Sequence, residues 1–107
     1  MPTVRIVIAD DHPVVRSGIR DMLDAADDLT VVGEAENGEE ALEMVDEEQP
    51  DVLLLDMEMP ELSGIEVAQR LQETSSPVRL LALSSYDDQE YVRGLLDNGA
   101  SGYLTKE

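Results

Sequence analysis

The chain of 107 residues carries 25 acidic side chains against seven basic ones, a formal net charge of −18, with 42% hydrophobic residues and no cysteine. That length houses one core rather than two. The missing cysteines exclude a disulfide framework and thiolate metal sites, and the acid excess excludes a basic DNA- or RNA-binding face on this chain. The longest uncharged apolar stretches, Ile6 to Ala9 and Val52 to Leu55, are far too short to span a bilayer. Met1-Pro2-Thr3 lacks a signal peptide's basic flank, so the chain reads as cytoplasmic, without membrane contact.

Val4 to Ala9 is the first apolar run of strand length; Asp10-Asp11-His12 follows, then Pro13, which suits a first helical position. Val15, Ile19, Met22 and Leu23 recur at helical spacing and mark a first helix, with Met22 and the later Met44 read as core filler. Thr30 to Ala35 is the second strand. Asn37-Gly38 alone signals a hairpin, yet Ala41, Leu42 and Val45 on one side of Glu39 to Val45 make it a helix entry. Val52 to Leu55 lacks polar alternation, as expected of a parallel strand covered on both faces. Ile65, Ala68 and Leu71 mark a third helix, Val78 to Leu83 a fourth strand and Ser101 to Thr105 a fifth. Between these last two, Tyr91, Val92, Leu95 and Leu96 mark a fourth helix ended by Asn98-Gly99.

Strands alternating with helices imply right-handed crossovers and a doubly wound parallel α/β sheet, whose ligands bind beyond the carboxyl ends of the strands. Polar groups collect there: Asp10-Asp11 after the first strand, Asp56 after the third, Ser84-Ser85 after the fourth, and Lys106, the only lysine, after the fifth. Three carboxylates repel one another unless a cation such as Mg2+ joins them, and an ammonium and a hydroxyl beside them suit a phosphoryl group. Taken singly, each has a plainer reading. Asp10-Asp11 reads as a helix N-cap, Asp56 as a turn cap, Ser84-Ser85 as a strand end and Lys106 as a solvated charge. Only their joint placement points to a site. His12, the sole histidine, reads as first-turn surface rather than as a ligand or base.

The segments Ile8-Ala9-Asp10-Asp11-His12-Pro13-Val14-Val15-Arg16, Pro50 to Pro60 with Ser63-Gly64, and Gly99 to Lys106 resemble the receiver domain of two-component response regulators. Asp10-Asp11-His12-Pro13, Val31 to Ala35 and Gly99 to Leu104 are similar to the subgroup bearing a C-terminal LuxR/NarL-type helix-turn-helix. The resemblance implies a flavodoxin-like five-stranded sheet of order 2-1-3-4-5, an order for which a receiver is itself a standard example. It also implies a switch in which Asp56 is the phosphoacceptor, served by a sensor histidine kinase. Asp11 would bind Mg2+ directly and Asp10 mainly through water; Asp56 and the Glu58 backbone carbonyl would complete the ligands. Ser84 and Lys106 would take phosphoryl oxygens, and Tyr103 would turn inward as the switch moves. Receivers are signalling modules rather than enzymes.

Glu61-Leu62 departs from the commoner small residue after Met-Pro, and the Glu58 side chain adds an acid near the phosphoryl group. Glu58 and Tyr86 are therefore expected to modulate phosphoryl lifetime. A haloacid-dehalogenase-type phosphatase would show Asp-x-Asp-x-Thr after the first strand, which this chain lacks. The remaining alternative is a phosphorylation-independent interaction module. Residues 1–107 are expected to be the N-terminal receiver of a longer regulator that meets DNA through a further C-terminal domain. A closing fifth helix after Lys106 is expected to be absent, leaving apolar surface beside the first helix that favours a homodimer. Acid runs such as Asp46-Glu47-Glu48 read as solvated helix surface, and the near-absence of lysine also suits adaptation to high salt.

Overall fold

Strand β1 (Val4–Ala9) leads into helix α1 (Pro13–Asp24), then β2 (Leu29–Ala35), α2 (Gly38–Glu48), β3 (Val52–Asp56), α3 (Gly64–Glu73), β4 (Arg79–Ser84) and β5 (Gly102–Thr105). This is a computed structural model, and it describes residues 3–56, 64–84, 93, 97 and 102–105. Every strand pair is parallel, in the order β2-β1-β3-β4 with β5 beside β4. The expected fourth-helix residues Tyr91, Val92, Leu95 and Leu96 lie outside the described residues, as does anything bearing on a closing helix.

Alternation along the strands sorts the core into two layers. Val7, Ala9, Leu53, Leu55, Leu80 and Ala82 pack on one face with Ala41 and Val45 of α2 and Val67, Ala68 and Leu71 of α3. Ile6, Ile8, Leu54 and Leu83 pack on the other, where Ile19 and Leu23 of α1 cover them. Strands β1 and β3 are thus apolar on both sides, which is why Val52 to Leu55 shows no polar alternation.

A bulge breaks the β1–β2 ladder. Ile6 pairs with Val31 but Val7 pairs with Gly33, so Val32 is the extra residue. In a regular strand Val31 and Ala35 would share a face. Here Val31 joins the α1 side while Val32 and Ala35 join the α2–α3 side. The same shift delivers Glu34 to α1, where its carboxylate binds Arg16 and Arg20. Gly33 lets α2 approach closely here: a Cβ at this position would stand 3.0 Å from Met44 Sδ, and that flexible side chain would have to shift.

Those two arginines lie on the Ile19–Leu23 side of α1 and draw the helix toward β2. The consequence corrects one expectation: Met22 is 76% exposed rather than core filler, and no residue of α1 is buried. Met22 sits one residue from Leu23, about 100° around the helix, and so turns away from the sheet. Met44 does pack, half-buried, against the α2–α3 layer.

Helix α2 begins as its chemistry demands. The Asn37 side chain accepts from Glu40 N at 2.8 Å, and Glu40 Oε1 accepts from Glu36 N at 3.0 Å. It ends at Gln49, whose left-handed backbone (φ 46°) lets its N–H reach Val45 O. At the amino ends of the strands, Asp51 fastens three of them: Arg5 N donates to its carboxylate at 2.8 Å, its own N–H donates to Arg5 O, and Arg79 N donates to its carbonyl.

Candidate functional site

Register builds the site. Ala9 lies opposite Leu55 in the β1–β3 ladder, so Asp10, just past β1, and Asp56, the last residue of β3, stand side by side at the carboxyl end of the sheet. Both are wholly buried. Asp10 is held along its whole length: its N–H donates to Ala35 O at 3.0 Å, its Oδ1 accepts from His12 N at 2.8 Å, and its carbonyl accepts from Arg16 Nη1 at 2.7 Å. Neither Asp10 nor Asp11 is the N-cap of α1, contrary to their plainer reading. His12 takes that position, with an extended backbone and no side-chain cap bond.

Arg16 anchors the acidic corner. Its side chain is only 13% exposed, and Nε donates to Glu34 Oε1 at 2.9 Å while Nη1 holds the Asp10 carbonyl. Glu34 is shared with Arg20, which also lies 3.7 Å from Asp24. The Glu34 carboxylate, by hydrogen bond and by charge, raises the Arg20 guanidinium further above its already high pKa, so its charge is permanent at any ordinary pH. Sequence reasoning did not single out Arg16. Its one signal was a bidentate donor one turn into the helix that follows an acidic pair.

His12 does not behave as simple surface. Its side chain is 60% exposed, yet Nδ1 lies 2.9 Å from Asp11 Oδ1, 3.4 Å from Asp10 Oδ1 and 4.0 Å from Asp56 Oδ2. One ligand atom from each of Asp10, Asp11, His12 and Asp56 falls within 4.8 Å of all the others. Two buried carboxylates with a third beside them make a hard-oxygen donor set, and the mutual repulsion of such a set favours a divalent cation. The residues present therefore fit the Mg2+ expected from the sequence.

Of the other expected site residues, Ser84 closes β4 opposite Thr105, one step past the Asp56–Leu83 pair, so its backbone borders the acidic rim. Tyr103 lies in β5, paired with Ala82. Glu58, Tyr86 and Lys106 lie outside the described residues.

A doubly wound parallel α/β sheet with an acidic pocket at the carboxyl ends of its first and third strands defines a receiver-type signalling module. The family model for the response regulator receiver domain matches residues 6–107, and the chain belongs to that family. It is 42% identical over 104 residues to the transcriptional regulatory protein DegU of Brevibacillus brevis, covering 97% of this chain and 44% of DegU. To the nitrate/nitrite response regulator NarL of Escherichia coli K12 it is 41% identical over 102 residues, covering 95% of this chain and 47% of NarL. The chain thus spans about half the length of these relatives. Among solved structures, the signal receiver domain of a NarL response regulator from Mycobacterium tuberculosis superposes with a TM-score of 0.96 at 39% identity, over all of this chain and 86% of that one.

Proposed function

We propose that this chain is a phosphorylation-dependent switch in which Asp56 accepts a phosphoryl group from a sensor histidine kinase and passes the signal to a transcription-regulating output. The observation that carries this reading is the wholly buried Asp56 lying beside Asp10 and Asp11, with ligand atoms of the group within 4.8 Å of one another. An Asp56 carboxylate oxygen attacks the phosphorus of the kinase's phosphohistidine. The P–N bond breaks with its electron pair passing to the imidazole nitrogen, and an acyl phosphate forms on Asp56. Asp10, Asp11, Asp56 and the Glu58 carbonyl would hold Mg2+, which would supply positive charge to neutralise the phosphoryl oxygens. Ser84 and Lys106 take the remaining oxygens, Tyr103 follows the hydroxyl, and Glu58 and Tyr86 set how long the acyl phosphate lasts.

The output rests on relatives named as transcriptional regulatory proteins that are about twice this chain's length, which supports residues 1–107 as the receiver portion of a longer, cytoplasmic regulator whose DNA contacts lie in another domain. No described helix is long and apolar enough to cross a membrane.

Incubating the chain with a small acyl-phosphate donor and Mg2+, then measuring intact mass, tests the reading. One added phosphoryl group is expected on the wild type and none on Asp56→Asn or in the presence of a chelator. Addition that persists at the same rate in either control would remove Asp56 or the cation from the mechanism.

A further inference from the structure

We infer that His12 is a nitrogen ligand of the acidic pocket, so that the pocket favours divalent transition ions, Mn2+ among them, over Mg2+ more strongly than three carboxylates alone would. The inference rests on the cation-pocket reading of Asp10, Asp11 and Asp56 and adds a residue to it.

The distances are those of groups sharing one ion. Ligand atoms about 2.1 Å from a common ion lie roughly 3 Å apart when adjacent and roughly 4 Å apart when opposite. His12 Nδ1 stands at 2.9, 3.4 and 4.0 Å from oxygens of Asp11, Asp10 and Asp56, so it meets this spacing toward all three carboxylates at once. The widest separation in the group, 4.8 Å, needs to close by only about half an ångström.

The position is held by the backbone. The His12 N–H is bound to Asp10 Oδ1 at 2.8 Å, and the His12 carbonyl accepts from Arg16 N at 2.9 Å, so the residue is fixed at both ends where β1 becomes α1. The side chain is 60% exposed and makes no cap bond, and its ring is turned toward the Asp11 carboxylate at 2.9 Å. Imidazole suits Zn2+, Ni2+ and their neighbours, whereas Mg2+ keeps to oxygen. Adding Nδ1 to the carboxylates should therefore raise affinity for the transition ions and leave Mg2+ nearly unchanged.

Equilibrium binding of Mn2+ and of Mg2+ to the 107-residue chain, at about pH 8 where histidines are ordinarily neutral, tests this together with pulsed electron paramagnetic resonance of the Mn2+-loaded chain. Expected for the wild type is a nitrogen coupling to Mn2+. In His12→Ala and in His12→Gln that coupling disappears and the Mn2+-to-Mg2+ affinity ratio falls by at least roughly tenfold, the lower limit for losing even an outer partner of a metal ligand. A ring that only donates to Asp11 would give no nitrogen coupling and an unchanged ratio, and either result overturns the inference while leaving the carboxylate pocket intact. Failure of both ions to bind the wild type would overturn the pocket reading, and this inference with it.

Discussion

Among the described residues outside the carboxylates, Arg16 braces the site most directly. It ties the carbonyl of buried Asp10 to Glu34 on the neighbouring strand, and it does so from a position only 13% exposed, where solvent screening is weak. Hydrogen bonds to charged groups contribute about 1.5 to 3 kcal/mol each, and truncation also strands partners already desolvated. Arg16→Ala is therefore expected to lower unfolding stability by about 2 kcal/mol, read as a drop in the denaturant midpoint, and Arg16→Lys to recover only part of it because a point charge cannot make both bonds. Equal stability of Arg16→Ala and wild type would show that Arg20 alone suffices to hold Glu34. The acids of the site were legible in the sequence because three carboxylates gathered at two strand ends are improbable without a cation. Arg16 and His12 were not, since their roles depend on side-chain direction at a helix start, and spacing along the chain does not encode that.

Among the elements, α2 and α1 show where local chemistry decides and where tertiary contacts override it. The entry to α2 at Asn37-Gly38 was readable from Ala41, Leu42 and Val45 behind it, whereas the Asn37 cap and the Glu40 bond to Glu36 N emerge only in the structure; Asn37→Ala should cost about 1 kcal/mol, measured by thermal or chemical denaturation, with Asn37→Asp close to neutral. An alanine variant as stable as the wild type would mean that Glu40 alone starts the helix. Helix α1 was also readable from its period, yet its buried side was not: Met22 shares the apolar arc with Ile19 and Leu23 but is turned outward, because Arg16 and Arg20 draw the helix toward Glu34. The bulge that puts Glu34 there was invisible in the sequence. Val31-Val32-Gly33-Glu34-Ala35 reads as a continuous strand, and only the pairing of Val7 with Gly33 reveals the extra residue. Strand identity, by contrast, followed from the apolar runs, and the order of the strands from the family resemblance.

For the whole molecule, the −18 charge sets the response to solvent. Self-repulsion among 25 acids acts over a Debye length of about 10 Å at 0.1 M salt and about 3 Å at 1 M, so raising sodium chloride between these concentrations should raise the melting temperature. The ion pairs visible at Arg5–Glu48 and Arg20–Asp24 are half exposed and lose little on screening, so they do not reverse the sign. A melting temperature that stays flat or falls would remove the high-salt reading of the composition.

The pairing of Ala9 with Leu55 has a further consequence for the protein's lifetime. Asp10 and Asp56 are far apart along the unfolded chain, and only the completed β1–β3 ladder brings them together, so folding itself assembles the cation's seat. An ion that binds the folded form and not the unfolded one shifts the equilibrium by mass action, by about 2.7 kcal/mol when its free concentration is a hundred times its dissociation constant. Because net stabilities of single domains are only about 5 to 15 kcal/mol, divalent-ion supply to a pocket that binds as proposed would govern the fraction of molecules open to proteases at any moment. On the reading proposed above, the same pocket would couple the abundance of the protein to the ionic state of its surroundings.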